Sequence, residues 1–175
     1  MAKYEIIDGV GIIPQGITKI VDYAFYCCAN LTSIVIPDSV TEIASKAFRG
    51  CENLTSIVIS DSVTTIGYEV FYGCKNFTSI VIPDSVTKIG DLAFRGCKNL
   101  TSIVIPDSVT TIGEYAFSDC SSLTGIVVEE EYPRYDTRNN CNAIIETATN
   151  TLVCGCSTTI IPDRVTQIAE LAFSG

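Results

Sequence analysis

The chain has 175 residues, 47% hydrophobic and 18% charged, a composition typical of a packed protein and not of a disordered one. Its net charge of −9 disfavours nucleic acid and anionic membrane surfaces as partners, and no apolar run is long enough to insert into a membrane. Histidine, the commonest general base and metal ligand, is absent. We therefore expect no enzyme, no cofactor and no metal site. The opening residues, MAKYEIIDGVG, contain no visible export signal.

Two short apolar runs flank the pair Asp8-Gly9 near the start of the chain. An Asp-Gly pair between apolar runs is typical of a two-residue hairpin turn. The sequence therefore predicts a β-hairpin that caps whatever follows.

From Ile13 onward, apolar residues recur at intervals of 23 positions. A fixed period of this length, with apolar residues in register, predicts a solenoid in which each coil buries its inner face only against its neighbours. The clearest series are Ile13, Ile36, Ile59, Ile82, Ile105 and Val128; Phe25, Phe48, Phe71, Phe94 and Phe117; and Cys28, Cys51, Cys74, Cys97 and Cys120.

Each coil is predicted to contain the same elements in the same order. In residues 33–36, SIVI, alternation points Ile34 and Ile36 inward and the other two side chains outward. The following PDS is a turn, SVTEI is a second extended piece, and SKAF is a brief helical turn that buries its phenylalanine. Neighbouring strands are then parallel and about 4.8 Å apart.

The pattern L-x-x-I-x-IP-x-x-V-x-x-I-x-x-x-AF-x-x-C resembles the BspA-like, or Treponema-type, leucine-rich repeats over nearly the whole chain. The resemblance implies a repeat solenoid: a right-handed leucine-rich-repeat β-solenoid with short parallel strands, brief helical turns and a 23-residue period. It also implies a surface or secreted protein that adheres to other cells or binds host proteins, although the repeat itself is only a scaffold.

The register breaks after Val128, because the next matching position, Ile161, lies 33 residues later. We predict regular repeats with the hairpin cap over residues 1–128, an irregular repeat with an acidic loop and a hairpin over 129–159, and a resumed, incomplete repeat over 160–175. The repeat stops before its Cys and Leu positions, which predicts either a truncated chain or a partner that covers this end.

Nine cysteines suggest either disulfides or a structural ladder. Stacked cysteines would have parallel Cβ vectors about 4.8 Å apart, too far for ordinary disulfide geometry, so we favour free, buried thiols. The remaining group, Cys141, Cys154 and Cys156, lacks a fourth zinc ligand.

The asparagines at positions 30, 53, 76 and 99 each precede Leu or Phe and then Thr. The triplets match glycosylation sequons. We favour the alternative in which a buried asparagine satisfies backbone groups between coils.

Two exposed series are candidate partner-binding residues. The first alternates Tyr and Arg at one-coil spacing, close enough for guanidinium groups to stack on the rings. Such a stripe could bind a partner, because Tyr and Arg are typical hot-spot residues. The favoured interpretation is a solvent-exposed row whose stacking stiffens neighbouring coils. The second is an outward valine row that fits either an extended protein surface or tolerated β-structure. Their members are Tyr26, Arg49, Tyr72 and Arg95, and Val35, Val58, Val81 and Val104.

These observations favour a non-enzymatic protein–protein interaction module, by resemblance an adhesin-like bacterial surface or secreted protein that binds host or neighbouring-cell proteins, such as matrix or plasma proteins. The alternative is a structural spacer or a scaffold that self-associates through its open C-terminal end. A thiol enzyme using Cys154 or Cys156 is the disfavoured third possibility.

Overall fold

Residues 23 positions apart in the sequence lie one above another in the structure. A computed structural model describes residues 4–129 and 134–174 as a β-solenoid of about five stacked turns with almost no helix. Ile34 pairs with Ile57, and Lys19 with Glu42, in parallel register. The predicted repeat solenoid is therefore confirmed. Part of the predicted acidic loop, residues 130–133, lies outside the described residues.

The solenoid is built from strands of two to five residues, as expected for coils whose extended pieces end at Pro-Asp-Ser or Gly turns. A 3₁₀ turn at Arg138–Asn140 follows the twelfth strand. The strands are β1 Glu5–Ile7, β2 Val10–Ile12, β3 Lys19–Ile20, β4 Ser33–Val35, β5 Glu42–Ile43, β6 Ser56–Val58, β7 Thr65–Ile66, β8 Lys88–Ile89, β9 Ser102–Ile105, β10 Thr111–Ile112, β11 Gly125–Val128, β12 Tyr135–Asp136, β13 Ala143–Glu146, β14 Thr151–Gly155 and β15 Gln167–Ile168.

The strands form two faces. On one, the short strands β3, β5, β7, β8 and β10 make a continuous five-stranded parallel sheet. On the other, the sheet is split into β1-β2-β4-β6 and β9-β11. The antiparallel β1–β2 hairpin turns at Asp8-Gly9, both with positive φ, as a two-residue hairpin requires.

The second face is split at residues 79–82. These residues and the strands β6 and β9 are all described by the structure, and no backbone hydrogen bond joins 79–82 to either strand. This coil carries Phe77 where its neighbours carry Leu54 and Leu100. The ring of Phe77 stacks on Phe71 with centroids 5.5 Å apart. We attribute the break to this larger side chain, because a close-packed interior accommodates added volume by moving backbone.

The core is a stack of phenylalanine rings with cysteines beside it. Successive rings of the Phe25 to Phe117 series lie 5.3–5.6 Å apart and nearly parallel. Each of the four ladder thiols from Cys51 to Cys120 donates to the carbonyl of the phenylalanine one coil back, as from Cys51 Sγ to Phe25 O at 2.9 Å. The predicted ladder of buried thiols is confirmed from Cys51 to Cys120, and all nine cysteines, every one in a described residue, are free.

The segments predicted as brief helical turns are hydrogen-bonded turns. The amide of Ala47 bonds to the carbonyl of Ala44, while the amides of Lys46 and Phe48 bond to the next coil. Because alternate amides are used between coils, an α-helical ladder cannot continue. Lys46 accordingly has a left-handed φ of 60°.

The region from 134 to 174 is organised around the antiparallel hairpin β13–β14, with β12 and β15 on its two sides. It has a small core of its own, formed by Cys141, Ala143, Ile145, Leu152 and Ala172. It is joined to the regular coils by the main core, to which Tyr135, Ile144 and Cys154 belong, and by hydrogen bonds such as that from the Ile112 amide to the Tyr135 phenol oxygen at 3.0 Å and that from Ser174 Oγ to Asp119 at 2.9 Å.

The prediction that the asparagine ladder is buried is wrong. The four asparagines are exposed, because the adjacent Leu or Phe and Cys fill the interior of each turn. Their amides bond along the solenoid axis instead: Asn53 donates to the carbonyl of Ala29, and Asn76 donates to the side chain of Asn53.

In the part of the chain that the structure describes, no helix has the length and apolar character needed to cross a membrane.

Candidate interaction surfaces

The predicted Tyr/Arg series lies on the turn side of the solenoid, one residue after each buried phenylalanine. The Tyr72 ring is held between two guanidinium groups, with Arg49 at 4.3 Å and Arg95 at 6.0 Å from its centroid. This is the cation–π stacking that the one-coil spacing predicts. Three of the four predicted residues are therefore brought together.

The fourth residue, Tyr26, packs differently. Its ring lies edge-on to Tyr23, with centroids 5.5 Å apart. The guanidinium of Arg49 is directed to Tyr72 and to the carboxylate of Glu69, an acid that is only 5% exposed. Arg49 thus has a structural role, since a buried carboxylate needs a charged partner.

A second cation–aromatic row runs beside the first, and sequence reasoning missed it. The Lys46 ammonium lies 5.3 Å from the Tyr23 centroid and 5.2 Å from that of Tyr68. Lys46 also lies 4.0 Å from Glu69. Tyr23, Lys46 and Glu69 are each 23 positions apart, so the contacts among them could have been predicted from the sequence. Tyr68 lies one position before this series, so its contact with Lys46 could not.

Together the two rows form what we call the cation–aromatic surface, composed of Tyr23, Tyr26, Lys46, Arg49, Tyr68, Tyr72 and Arg95. Its three most exposed rings, Tyr23, Tyr26 and Tyr68, are 53%, 45% and 39% exposed. Tyrosine offers a large amphipathic contact area at low entropic cost, and both tyrosine and arginine are enriched among interface hot spots. The surface is thus suited to contact another protein.

The predicted valine row is also exposed. It lies on the split strand face, and parallel pairing extends it to Ile12 and Val127. We call Ile12, Val35, Val58, Val81, Val104 and Val127 the valine ribbon. The next outward row contains serines and Gly125, so both rows are uncharged. At about 24 Å long, the ribbon together with the serine row beside it is smaller than a stable interface of about 800 Å² per partner.

The Arg95 end of the cation–aromatic surface is fixed by an ion pair. Arg95 Nε donates to Asp119 at 2.8 Å, and the same carboxylate accepts from Ser174. The bond from Arg95 is the main reason that the pKa of Asp119 is lowered, and it raises the pKa of Arg95 in turn. This surface is therefore linked to the region 134–174.

Where regular coils meet the hairpin region, a cavity of about 360 Å³ is lined by Cys120, Cys156 and several hydroxyl side chains. Burial raises the pKa of Cys120 and of nearby Cys154 to about 12, so both thiols are protonated at neutral pH and are poor nucleophiles. Within the described ranges, no group of three or more His, Cys, Asp or Glu side chains is arranged to hold a metal ion.

A family profile described as the BspA type leucine-rich repeat region matches residues 18–143 of the chain, in six copies. Among curated proteins, the chain finds no match.

Solved structures of bacterial leucine-rich repeat proteins are similar to the chain. One from Bacteroides ovatus ATCC 8483 is 41% identical over 65% of this chain and 29% of its own, with a TM-score of 0.61. A leucine-rich cell surface protein from Faecalibacterium prausnitzii A2-165 is 32% identical over 79% of this chain and 43% of its own, with a TM-score of 0.65. A T. pallidum leucine-rich repeat protein is 30% identical over 71% of this chain and 67% of its own, also with a TM-score of 0.65. The chain therefore spans less than half the length of the first two.

Proposed function

This chain belongs to the family of BspA-type leucine-rich repeat proteins, and we propose that it is a non-enzymatic protein-interaction module that binds through its cation–aromatic surface. Membership indicates protein interaction, and solenoids of this kind are typically scaffolds. The observation that carries the proposal is the Tyr72 ring fixed between Arg49 and Arg95, beside three exposed tyrosines. Such preorganised aromatic and arginine groups lose little entropy when a partner binds.

We further propose that the protein acts at the cell surface or after secretion, as an adhesin-like protein that binds host or neighbouring-cell proteins. The similar F. prausnitzii protein is described as a cell surface protein, which supports this placement. Matrix and plasma proteins are the partners to test first. The valine ribbon, being apolar but narrow, would add contact area and not anchor a partner alone.

The test is a binding assay of the chain against immobilised matrix and plasma proteins, with two matched variants. In the first, Tyr23, Tyr26 and Tyr68 are changed to Ser, which leaves Arg49 paired with buried Glu69. In the second, Val35, Val58 and Val81 are changed to Thr, nearly the same shape. We expect saturable binding that the tyrosine variant loses and the valine variant retains. No binding to any panel protein, or equal binding by the tyrosine variant, contradicts the proposal.

A second candidate function is a scaffold that self-associates through the C-terminal coil. Exposed apolar side chains support it, because Ile160, Ile168, Leu171 and Phe173 are 45–77% exposed around the short strand β15. Uncovered strand and core positions favour pairing with another chain. Sedimentation over a wide concentration range tests the idea: an increase in mass that Ile168→Lys abolishes supports it, and a constant monomer mass contradicts it.

A further inference from the structure

A groove of about 420 Å³ runs alongside the cation–aromatic surface over two coils. Tyr72 and Arg95 form one wall, and Lys75 and Lys98 form the other. Its volume lies within the range of about 300–1,000 Å³ in which proteins hold small ligands and side-chain clusters.

The floor of the groove is glycine. Gly73 and Gly96 have φ of +71° and +73°, a region that residues with a Cβ rarely adopt. Nothing lies within 4 Å of the place where a Cβ on Gly73 would be, so the absent side chain leaves open space. The amide of Gly73 already donates to the carbonyl of Arg95 at 2.8 Å, and that of Gly96 to Ser118 at 2.9 Å. A ligand must therefore be recognised by the side chains of the walls.

Those walls carry an excess of positive charge. Three cations, Lys75, Arg95 and Lys98, face one carboxylate, Asp119, in a chain that has 11 basic and 20 acidic residues. Arg95 is paired with Asp119, and Lys75 pairs with Glu52 at 2.7 Å, outside the groove lining. Lys98 forms no ion pair with any described residue. The groove is therefore a local positive site on an acidic protein.

We propose that this groove binds a short acidic segment of a protein partner, with Lys75 and Lys98 contacting its carboxylates. The inference rests on the proposed function, since it names the chemistry of the partner at the edge of the same surface. Lysine ammonium groups are flexible point charges that suit separated carboxylates, whereas a phosphate site typically has free backbone amides or an unpaired, bidentate arginine.

The length of the positive site selects a short segment over a long polyanion. The two coils cover roughly 10 Å along the axis. Glu52, which pairs with Lys75, and Glu69, which pairs with Arg49, lie outside the groove lining and repel negative charge beyond it. A nucleic acid or a long sulfated polysaccharide would meet these carboxylates, and an acidic peptide of a few residues would not.

The test is a titration of the chain with a fluorescent oligoglutamate peptide of about three residues, which spans about 10 Å when extended and so matches the positive site. We expect saturable binding that weakens as salt rises and that an oligoglutamine peptide does not show. Lys75→Gln with Lys98→Gln should weaken binding about tenfold or more. Lys88→Gln, an exposed lysine on β8 outside the groove, is the control with the same type of charge change and should leave binding unaltered. Asp119→Asn should strengthen binding, because it frees Arg95.

The inference is overturned if the two peptides bind equally well, or if Lys88→Gln loses as much affinity for oligoglutamate as the double lysine variant. It is also overturned if a sulfated oligosaccharide competes with the peptide and binds about tenfold more tightly. Both lysines are exposed, so the substitutions should not unfold the chain, and thermal unfolding of each variant checks this. If a panel protein binds the native chain and the double lysine variant equally well, the groove inference fails and the proposed function stands. If oligoglutamate binds as expected and no panel protein binds, the groove inference stands and the proposed function fails for those partners.

Discussion

The regular coils and the hairpin region are stabilised in different ways. In the coils, stabilising contacts join residues 23 positions apart, such as Phe48 and Phe71, whose rings stack at 5.6 Å. In the hairpin region, contacts are mostly local, within β13–β14 and a core of five buried residues. A repeat array depends on interfaces between neighbours, so damage to a central coil affects its neighbours on both sides. The hairpin region joins the end of that array through three buried residues of the main core, Tyr135, Ile144 and Cys154, and through hydrogen bonds to the last regular coils.

The comparison also separates scaffold from surface. The coils repeat their buried positions almost without change, whereas the cation–aromatic surface and the groove use positions that vary from coil to coil. Similar coils are needed because each buries its core face only against the next. The exposed turn positions are free of that requirement and can differ.

Alkaline pH should produce the largest effect, and mainly in the coils. Burial raises the pKa of Cys51 and Cys120 to about 12, and it raises that of Cys74 and Cys97 as well. Because a protonated thiol is favoured in the folded state, this stability is complete below about pH 9 and is lost as pH rises from 9 towards 12. Each thiol contributes a loss of about 1.4 kcal/mol per pH unit in that window, so four together cost several kcal/mol by pH 10.

Urea unfolding at pH 8 and pH 10 measures this loss. The variant Cys74→Ala with Cys97→Ala should show a shallower pH dependence than the native chain. An equal dependence would mean that the stacked thiols are not its source.

Phe71→Ala should be the most damaging single substitution of this comparison. The ring is fully buried and contacts Phe48, Phe77 and Phe94. Removing it leaves a cavity at the centre of the stack, at a cost of about 3–5 kcal/mol in the free energy of unfolding. Phe173→Ala, at a ring in the last coil that is 45% exposed, is the control and should cost less than about 1 kcal/mol. Comparable losses in the two variants would contradict a nearest-neighbour stack.

Tyr135→Phe should loosen the hairpin region while the coils stay intact. The phenol oxygen of Tyr135, a buried residue, accepts the amide hydrogen of Ile112, and the substitution leaves that amide without this acceptor. The expected cost is about 1 kcal/mol. Hydrogen exchange should then accelerate in β12–β14 and remain unchanged in β4 and β6. Faster exchange throughout the molecule would show that the two regions unfold as one unit.

The smallest effect concerns the split strand face. Because residues 79–82 lack ladder hydrogen bonds, their amides should exchange faster than those of 102–105 in β9. Phe77→Leu restores the side chain of neighbouring coils and should slow exchange at 79–82 without a large change in overall stability. Slow exchange at these amides in the native chain would contradict the break.

Much of the candidate surface was predictable because it follows the period. Position 49 follows buried Phe48 by one residue and position 72 follows Phe71, so the stacking of Arg49 on Tyr72 was expected, whereas both residues are half-buried and not exposed as predicted. The pairing of Tyr26 with Tyr23 was not, because it joins residues within one turn, and the period describes only contacts between coils. The asparagine ladder was wrongly placed for a related reason: the period shows that side chains stack, but not whether they stack inside or outside.

The solenoid, its 23-residue coil, the inward Ile and Phe positions and the thiol ladder could all be predicted from the order of residues alone. These follow from apolar periodicity, which has one low-energy solution when each coil must bury its face on a copy of itself. Three further features became visible only in the folded chain: the break at residues 79–82, the buried Glu69 beside Arg49, and the groove between Arg95 and Lys98. Those features depend on side-chain volume and on left-handed turn residues, which set directions that a linear pattern does not contain.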